Sequence, residues 1–403
     1  MQANGRITRH VIFLGAGASA SSGYPIGNEL RLQISSETHL KAALKKSIQN
    51  EDVISSCLNF YRQSKAIEIF REGCFGTVDE FSKLASRTYQ RNLEEMKKLM
   101  QLAFSIHNPE DNFHESDYYS FIQRLFNDKS LSTLKPEVTV ISYNYDCYLD
   151  FLLLRAYQQR QKLSGDKGDV GIFMKNKLTS GFAEPLDLSW ATQTANFNYF
   201  KLHGSITYGS RSHHHLKFEN DAKYRLVEFA KEGFKEMATP PIIFPWELFN
   251  RGRFISNEDF TDNYVRSEKK RAAQLYLLYK EIWTAAQEKI ERANKISFVG
   301  LSMHDYLKDG LAFLFQKPPT AVSVVVANPE NEYHRSEKSR LHPASLCGKV
   351  VTMLNQIAPD MKICRSQSEH DGNFSMEGFD GPYVPDITPR YSFKEFIQRE
   401  MDQ

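Results

Sequence analysis

Short apolar runs, each halted by small or polar residues, set out the first picture of this chain. Val11-Ile12-Phe13-Leu14 stops at Gly15. A β-branched and aromatic run of that length, bounded by glycine, fits a buried parallel strand. Val138–Ser142, Gly171–Met174, Tyr199–Leu202, Pro241–Phe244, Ile296–Val299 and Val322–Val326 have the same character, and each predicts a strand. From about Leu30 to Phe126 no second run of this kind occurs. Apolar positions there recur at helical spacing among charges, as in Ala66–Phe70 and Tyr89–Phe104, so residues 30–130 are expected to be mainly helical. Thr77-Val78-Asp79-Glu80 has the form of a capping box and predicts a helix start. A long helix is expected over Glu268–Asn294, and Ser392-Phe393-Lys394-Glu395 opens a short terminal helix ending near Gln398. Arg365–Pro389 is rich in glycine and proline, poor in aliphatics, and reads as an irregular loop.

Strands alternating with helices predict an α/β protein. The expected architecture is a Rossmann-like open parallel sheet with helices on both faces, plus a helical insertion domain at about residues 30–130.

Composition narrows the classes without changing this picture. A chain of 403 residues needs no disulfide or metal staple, since a chain of that size buries roughly three quarters of its unfolded surface. Lys and Arg number 51 against 49 Asp and Glu, a net charge of +2, which gives no global field for nucleic acid or an acidic membrane. The five cysteines, Cys57, Cys74, Cys147, Cys347 and Cys364, are odd in number and contain no C-x-x-C pair. That spacing argues against a disulfide framework and against a zinc ribbon. The apolar stretch near the N-terminus is too short for a signal-peptide core or a membrane span, so a cytoplasmic protein is expected.

Chemistry gathers where the predicted strands end. Gly15-Ala16-Gly17-Ala18-Ser19 follows the first strand, where glycines permit a tight turn and close approach of a phosphate. The third glycine is Gly23, so this is not G-x-G-x-x-G, and a helical segment stands where a dehydrogenase would place its second strand and ribose-binding acid. A plain glycine-rich turn is the alternative. Ser142-Tyr143-Asn144-Tyr145-Asp146 closes a second strand, with an amide and a carboxylate two residues apart; an Asx turn or helix cap is its structural explanation. His203-Gly204-Ser205 closes a third, and a histidine there can serve as a base near neutral pH, although a lone histidine is more often structural. Gly300-Leu301-Ser302 with Asp305, and Asn328-Pro329-Glu330, close two more and suit ribose recognition. His213-His214-His215 is read as a solvated loop, because adjacent residues rarely converge on one ion. Arg266–Arg271 is read as a wet helix face or a partner contact, and Leu275, Leu278, Tyr279, Ile282 and Trp283 as a core or subunit stripe.

The order G-A-G-x-S-x-x-x-G-x-P, [ST]-x-N-x-D, H-G, G-x-S, N-x-E resembles the sirtuin-like NAD-binding family, over roughly residues 8–330. Two departures qualify the resemblance. Ile26-Gly27-Asn28 stands where protein deacylases carry Asp-Phe-Arg, and the two C-x-x-C pairs of their zinc ribbon are missing. With the helical insertion, the chain looks like the sirtuin-like NADases of bacterial anti-phage defence, and in size like the subunit that partners a HerA-type hexameric ATPase. The resemblance implies a cytoplasmic NAD hydrolase, releasing nicotinamide and ADP-ribose in abortive infection, with NAD as substrate and no zinc. It implies catalytic roles for Asn144, His203 and Asp146, the last at the nicotinamide pocket. It implies contacts to NAD from Gly15, Ala16, Gly17, Ser19, Pro25, Gly300, Ser302, Asp305, Asn328 and Glu330. Residues 1–330 would form the NAD-binding domain and 331–403 an extension used for assembly, with a homo-oligomer expected and neither nucleic acid nor membrane as partner. Two other functions stay open: an NAD-dependent deacylase or ADP-ribosyltransferase, and a non-catalytic module sensing NAD or ADP-ribose.

Overall fold

The computed structural model describes residues 8–73, 75–88, 90–107, 113–126, 137–153, 192–193, 197–206, 239–240, 242–250, 253–254, 266–319, 321–327, 346–359, 361–364 and 393–401. The protein is α/β. Its larger sheet holds β1 (Arg9–Leu14), β2 (Glu137–Ser142), β3 (Thr192–Gln193), β4 (Phe197–Lys201), β7 (Lys295–Val299), β8 (Ala321–Ala327) and β9 (Lys362–Cys364), in the order β3-β4-β2-β1-β7-β8-β9. Every neighbouring pair is parallel except β3 with β4. A separate two-stranded ribbon joins β5 (Phe249–Asn250) to β6 (Arg253–Phe254).

In β1, β2 and β7 every residue after the first is buried. Successive side chains point to opposite faces, so both faces of the central sheet are covered. This is why their sequences read as continuous apolar runs. The register aligns the carboxyl ends: Lys201 lies beside Ser142, Ser142 beside Leu14, Leu14 beside Val299, and Val299 beside Ala327. The next residues of these strands therefore form one lip. From β1 the chain steps outward to β2 and β4, then returns to the other side of β1 for β7, β8 and β9. The reversal falls between β1 and β7, the place where such sheets open a crevice.

Between β1 and β2 run α1 (Ala16–Ser19), α2 (Gly27–Ser35), α3 (Glu37–Ser47), α4 (Glu51–Arg62), α5 (Ala66–Glu72), α6 (Val78–Thr88), α7 (Gln90–Ser105) and α8 (Asp117–Phe126). The expected helical stretch is thus present. Its Leu40, Phe60, Phe70 and Leu99 share one hydrophobic core with Phe13, Val140, Phe298 and Val324 of the sheet. At the start of α6 the Glu80 amide donates to Thr77 Oγ1 at 3.1 Å, and the Glu80 carboxylate accepts from the Gly76 amide at 2.9 Å. The cap is reciprocal but reaches one residue further back than the sequence pattern implies. Later come α9 (Pro245–Leu248), α10 (Arg266–Glu291), α11 (Lys308–Leu314), α12 (Leu346–Ile357) and α13 (Phe393–Glu400). No described helix is long and apolar enough to cross a membrane.

Three expectations change. Ile242–Phe244 is not a strand: the Ile243 amide donates to the His203 carbonyl at 3.1 Å, and the Phe244 amide to the Glu247 carboxylate at 2.7 Å, as lead-in to α9. Apolar content there serves a buried connector, which local pattern cannot separate from a strand. The sheet also runs past residue 330, because β9 pairs with β8 and α13 buries Phe393, Phe396 and Ile397. Among the described residues beyond 330, β9 and α13 thus pack with the rest of the protein. The predicted long helix ends at Glu291, and the side chain of Asn294 instead accepts the Arg9 amide at 2.8 Å. The predicted strand Gly171–Met174, the Arg365–Pro389 loop and Ser392 lie outside the described residues.

Candidate functional site

The lip begins with two loops in backbone contact. The Gly15 amide donates to the Val299 carbonyl, and the Gly17 amide to the Gly300 carbonyl, both at 2.9 Å. A Cβ on Gly15 would stand 2.5 Å from the Gly300 oxygen, and one on Gly17 2.9 Å from the Gly300 Cα. The glycines are therefore required first by the contact between the loops after β1 and β7. Of the Gly15–Gly17 backbone expected near a phosphate, the Gly15 and Gly17 amides are engaged with carbonyls here. Ala16, Ser302 and Asp305 are exposed along the same rim, whereas Pro25 is buried. Asn328 and Glu330 lie outside the described residues, as do His213–His215.

Below the rim, three predicted residues meet in one buried hydrogen-bonded group. Ser19 Oγ donates to Asp146 Oδ2 at 2.8 Å. Asn144 Nδ2 donates to Ser19 Oγ at 2.9 Å and to the Tyr118 hydroxyl at 3.2 Å. The second carboxylate oxygen of Asp146 accepts the Tyr148 amide at 3.0 Å, which caps the helical turn that follows. So Asp146 fulfils its structural explanation as a cap with one oxygen, while the other joins it to Ser19. Ser19 lies inside with Asn144 and not on the exposed rim with Ala16, Ser302 and Asp305. Lys201 straps this loop to β4: its Nζ donates to the Asp146 carbonyl, to the Asp150 carboxylate, and to Ser205 Oγ at 3.0 Å. Burial raises the Asp150 carboxyl pKa, and the Lys201 ammonium opposes that rise.

His203 belongs to a neighbouring aromatic group. Its ring centroid lies 5.1 Å from Tyr143, 5.9 Å from Tyr145 and 5.6 Å from Trp283. The two tyrosines flank Asn144 in sequence, so one loop serves both groups. Trp283 on α10 is anchored by its indole N–H, which donates to the Leu202 carbonyl at 3.0 Å. Of the stripe on α10, Tyr279, Ile282 and Trp283 are core, while the side chains of Leu275, Leu278 and Arg266–Arg271 lie outside the described residues. His203 is 1% exposed, and its Nδ1 stands 3.0 Å from the Ile243 carbonyl. A carbonyl only accepts, so Nδ1 carries the proton and Nε2 presents a lone pair. Burial pushes the imidazole pKa down to about 3, and the Ile243 bond offsets part of that. His203 is thus neutral across the physiological range. Among the described residues, its Nε2 and the Oδ1 of Asn144 are buried without a protein partner.

Sequence reasoning missed Tyr118 and Asp79. Tyr118, on α8, completes the Asn144 group. Asp79, on α6, accepts from the Tyr145 hydroxyl at 3.2 Å. Neither adjoins a strand-end motif in sequence, and only the packing of the helical segment brings them to the lip. No family model matches this chain, and no curated protein matches it.

Proposed function

We propose that this protein is an NAD hydrolase that cleaves the nicotinamide–ribose bond to give nicotinamide and ADP-ribose. The observation that carries the reading is His203: a buried, neutral imidazole, held by Nδ1 on the Ile243 carbonyl, with Nε2 free to accept. The bond to be broken already has a cationic leaving group, so nicotinamide departs neutral without a general acid. An oxocarbenium-like ribose must be stabilised, as in glycoside hydrolysis, and then trapped by water. In this reading Asn144 Oδ1 accepts from the ribose hydroxyls or the water. His203 Nε2 takes the proton, directly or through a ribose hydroxyl. The Nδ1–H bond to Ile243 steadies the imidazolium that forms.

The wider reading is a Rossmann-like domain with a helical insertion, acting in the cytoplasm as an NAD-depleting defence effector. The strand order and its reversal beside β1 support it. A homo-oligomer and a HerA-type hexameric ATPase are the proposed partners. A second reading is a non-catalytic module sensing NAD or ADP-ribose, favoured by the weak basicity of His203 and the engaged amides of Gly15 and Gly17. The test is nicotinamide release from NAD by the full chain, alone and with the product of the neighbouring gene, repeated with His203→Ala and Asn144→Ala. The hydrolase reading expects release by the native protein and a loss of at least about a hundredfold in each variant. Normal cleavage by the variants, or tight NAD binding without turnover, would reject it. Release that requires an acylated peptide would assign a deacylase.

A further inference from the structure

The helical segment reaches the lip at a second place. Asp79 lies in the first turn of α6. Its carboxyl accepts from the Tyr145 hydroxyl at 3.2 Å, and the Tyr306 hydroxyl lies close enough to favour its ionised form. Tyr145 follows β2, and Tyr306 lies in the 3-10 turn Asp305–Leu307 that follows β7. One carboxyl thus joins the helical segment to two strand-end loops, and α9 packs against both α6 and that turn. The helix does not need Asp79 as its cap, because Thr77 and Glu80 already supply one. The Tyr145 ring stands 5.9 Å from His203 and 5.8 Å from Phe244. Where the Tyr145 hydroxyl is fixed therefore sets where its ring meets His203.

We propose that Asp79 is a positioning residue of this site: it holds Tyr145 and Tyr306 and, through Tyr145, places the His203 ring. The proposal deepens the hydrolase reading and rests on it for its effect on turnover. The titratable groups around Asp79 come from each adjoining element. Glu80 shares its helix, Tyr145 and Tyr306 come from the two loops, and His304 stacks on Tyr306 at 5.2 Å. Asp305 on the turn is exposed, and Glu247 on α9 pairs with Lys97 at 2.9 Å. Although Asp79 keeps partial solvent access, burial pushes its carboxyl up to about 6, and the two tyrosine hydroxyls only partly oppose that. Ionised, it accepts from Tyr145 and attracts the Tyr306 hydroxyl. Protonated in mild acid, it carries a proton of its own that must be donated, and the double grip is lost.

The experiment uses the full chain as wild type, Asp79→Asn, Tyr145→Phe and the double variant. Steady-state nicotinamide release is followed between about pH 5 and 8. Each single variant is expected to lower kcat about tenfold or more, with KM for NAD changed less than about threefold. The double variant should be no worse than the poorer single one, since both break one link. Wild-type kcat should fall as pH drops through about 6, and Asp79→Asn should lose that inflection. Multiplying losses, or an inflection kept in Asp79→Asn, would overturn the proposal. A second readout needs no turnover: nitrogen-15 histidine spectra, with the His203 signal assigned by its absence in His203→Ala. His203 itself stays neutral there, its pKa lying near 3, so movement of its signal near pH 6 reports a neighbour. The wild type should show that movement, and Asp79→Asn and Tyr145→Phe should not. A chain that keeps the movement but releases no nicotinamide sinks the hydrolase reading and leaves the positioning role standing. A signal that behaves alike in wild type and variants sinks the positioning role.

Discussion

At Asn144 the direction of one amide follows from counting protons. The single proton of Ser19 Oγ goes to the Asp146 carboxylate at 2.8 Å, so Ser19 Oγ must accept from Asn144 at 2.9 Å. The Asn144 NH2 group therefore faces Ser19 and Tyr118, and Oδ1 is left as the free acceptor. Tyr118→Phe isolates this effect, because the ring can keep its edge contact with Phe393, 5.1 Å away. The expected result is a kcat for nicotinamide release lowered about tenfold and a stability loss of about 1 kcal/mol from one hydrogen bond. Unchanged turnover in that variant would remove Tyr118 from the orienting group. The places of Asn144 and Asp146 were legible in the sequence because each stands at a fixed offset from a strand end, whereas the inward turn of Ser19 toward them was not. Tyr118 and Asp79 were not, because they reach the lip from 99 residues after Ser19 and 66 residues before Tyr145. No local pattern encodes a contact made by the packing of separate helices.

Elements show the same division. The runs behind β1, β2, β7 and β8 could be read directly, since a strand covered on both faces must be apolar throughout. Ile242–Phe244 has that composition too, yet its amides go to the His203 carbonyl and the Glu247 side chain instead of a ladder. The difference lies in the hydrogen-bonding neighbour and not in the residues. The glycines of the β1 and β7 loops were visible, but their first duty is loop-to-loop contact. Gly300 has φ +59°, and a Cβ there would stand 2.2 Å from the Ala18 amide nitrogen. Gly23 has φ +79° with nothing within 4 Å of an added Cβ. Gly23→Ala should therefore cost only the left-handed backbone penalty, about 1–2 kcal/mol. Gly300→Ala adds a backbone clash and should cost at least about 2 kcal/mol more. Urea midpoints of the two variants check this, and equal midpoints would show that the loop contact yields easily.

On the scale of the whole molecule, the last described helix turns out to be a closing piece of the core. The expectation placed residues 331–403 at an assembly surface. Within that span Phe396 is wholly buried, with its ring centroid 6.3 Å from His10 at the start of β1. Phe393 packs on Tyr118 and on Phe121, the latter at 5.6 Å. Helix α13 thus joins the first strand, the helical segment and the support of Asn144. Its stability should be inseparable from that of the sheet. Phe396→Ala is expected to lower the unfolding free energy by about 3–5 kcal/mol, as large-to-small changes in a packed core do. Lys394→Ala, on the exposed side of the same helix, should stay within about 0.5 kcal/mol of wild type. Denaturant unfolding followed by tryptophan fluorescence reads both, since neither substitution alters one of the three tryptophans. If Phe396→Ala kept the wild-type midpoint while shifting the oligomeric state, α13 would be an assembly arm after all. If it lowers the midpoint with the association state unchanged, any surface for a second copy or a partner has to be sought elsewhere on the molecule.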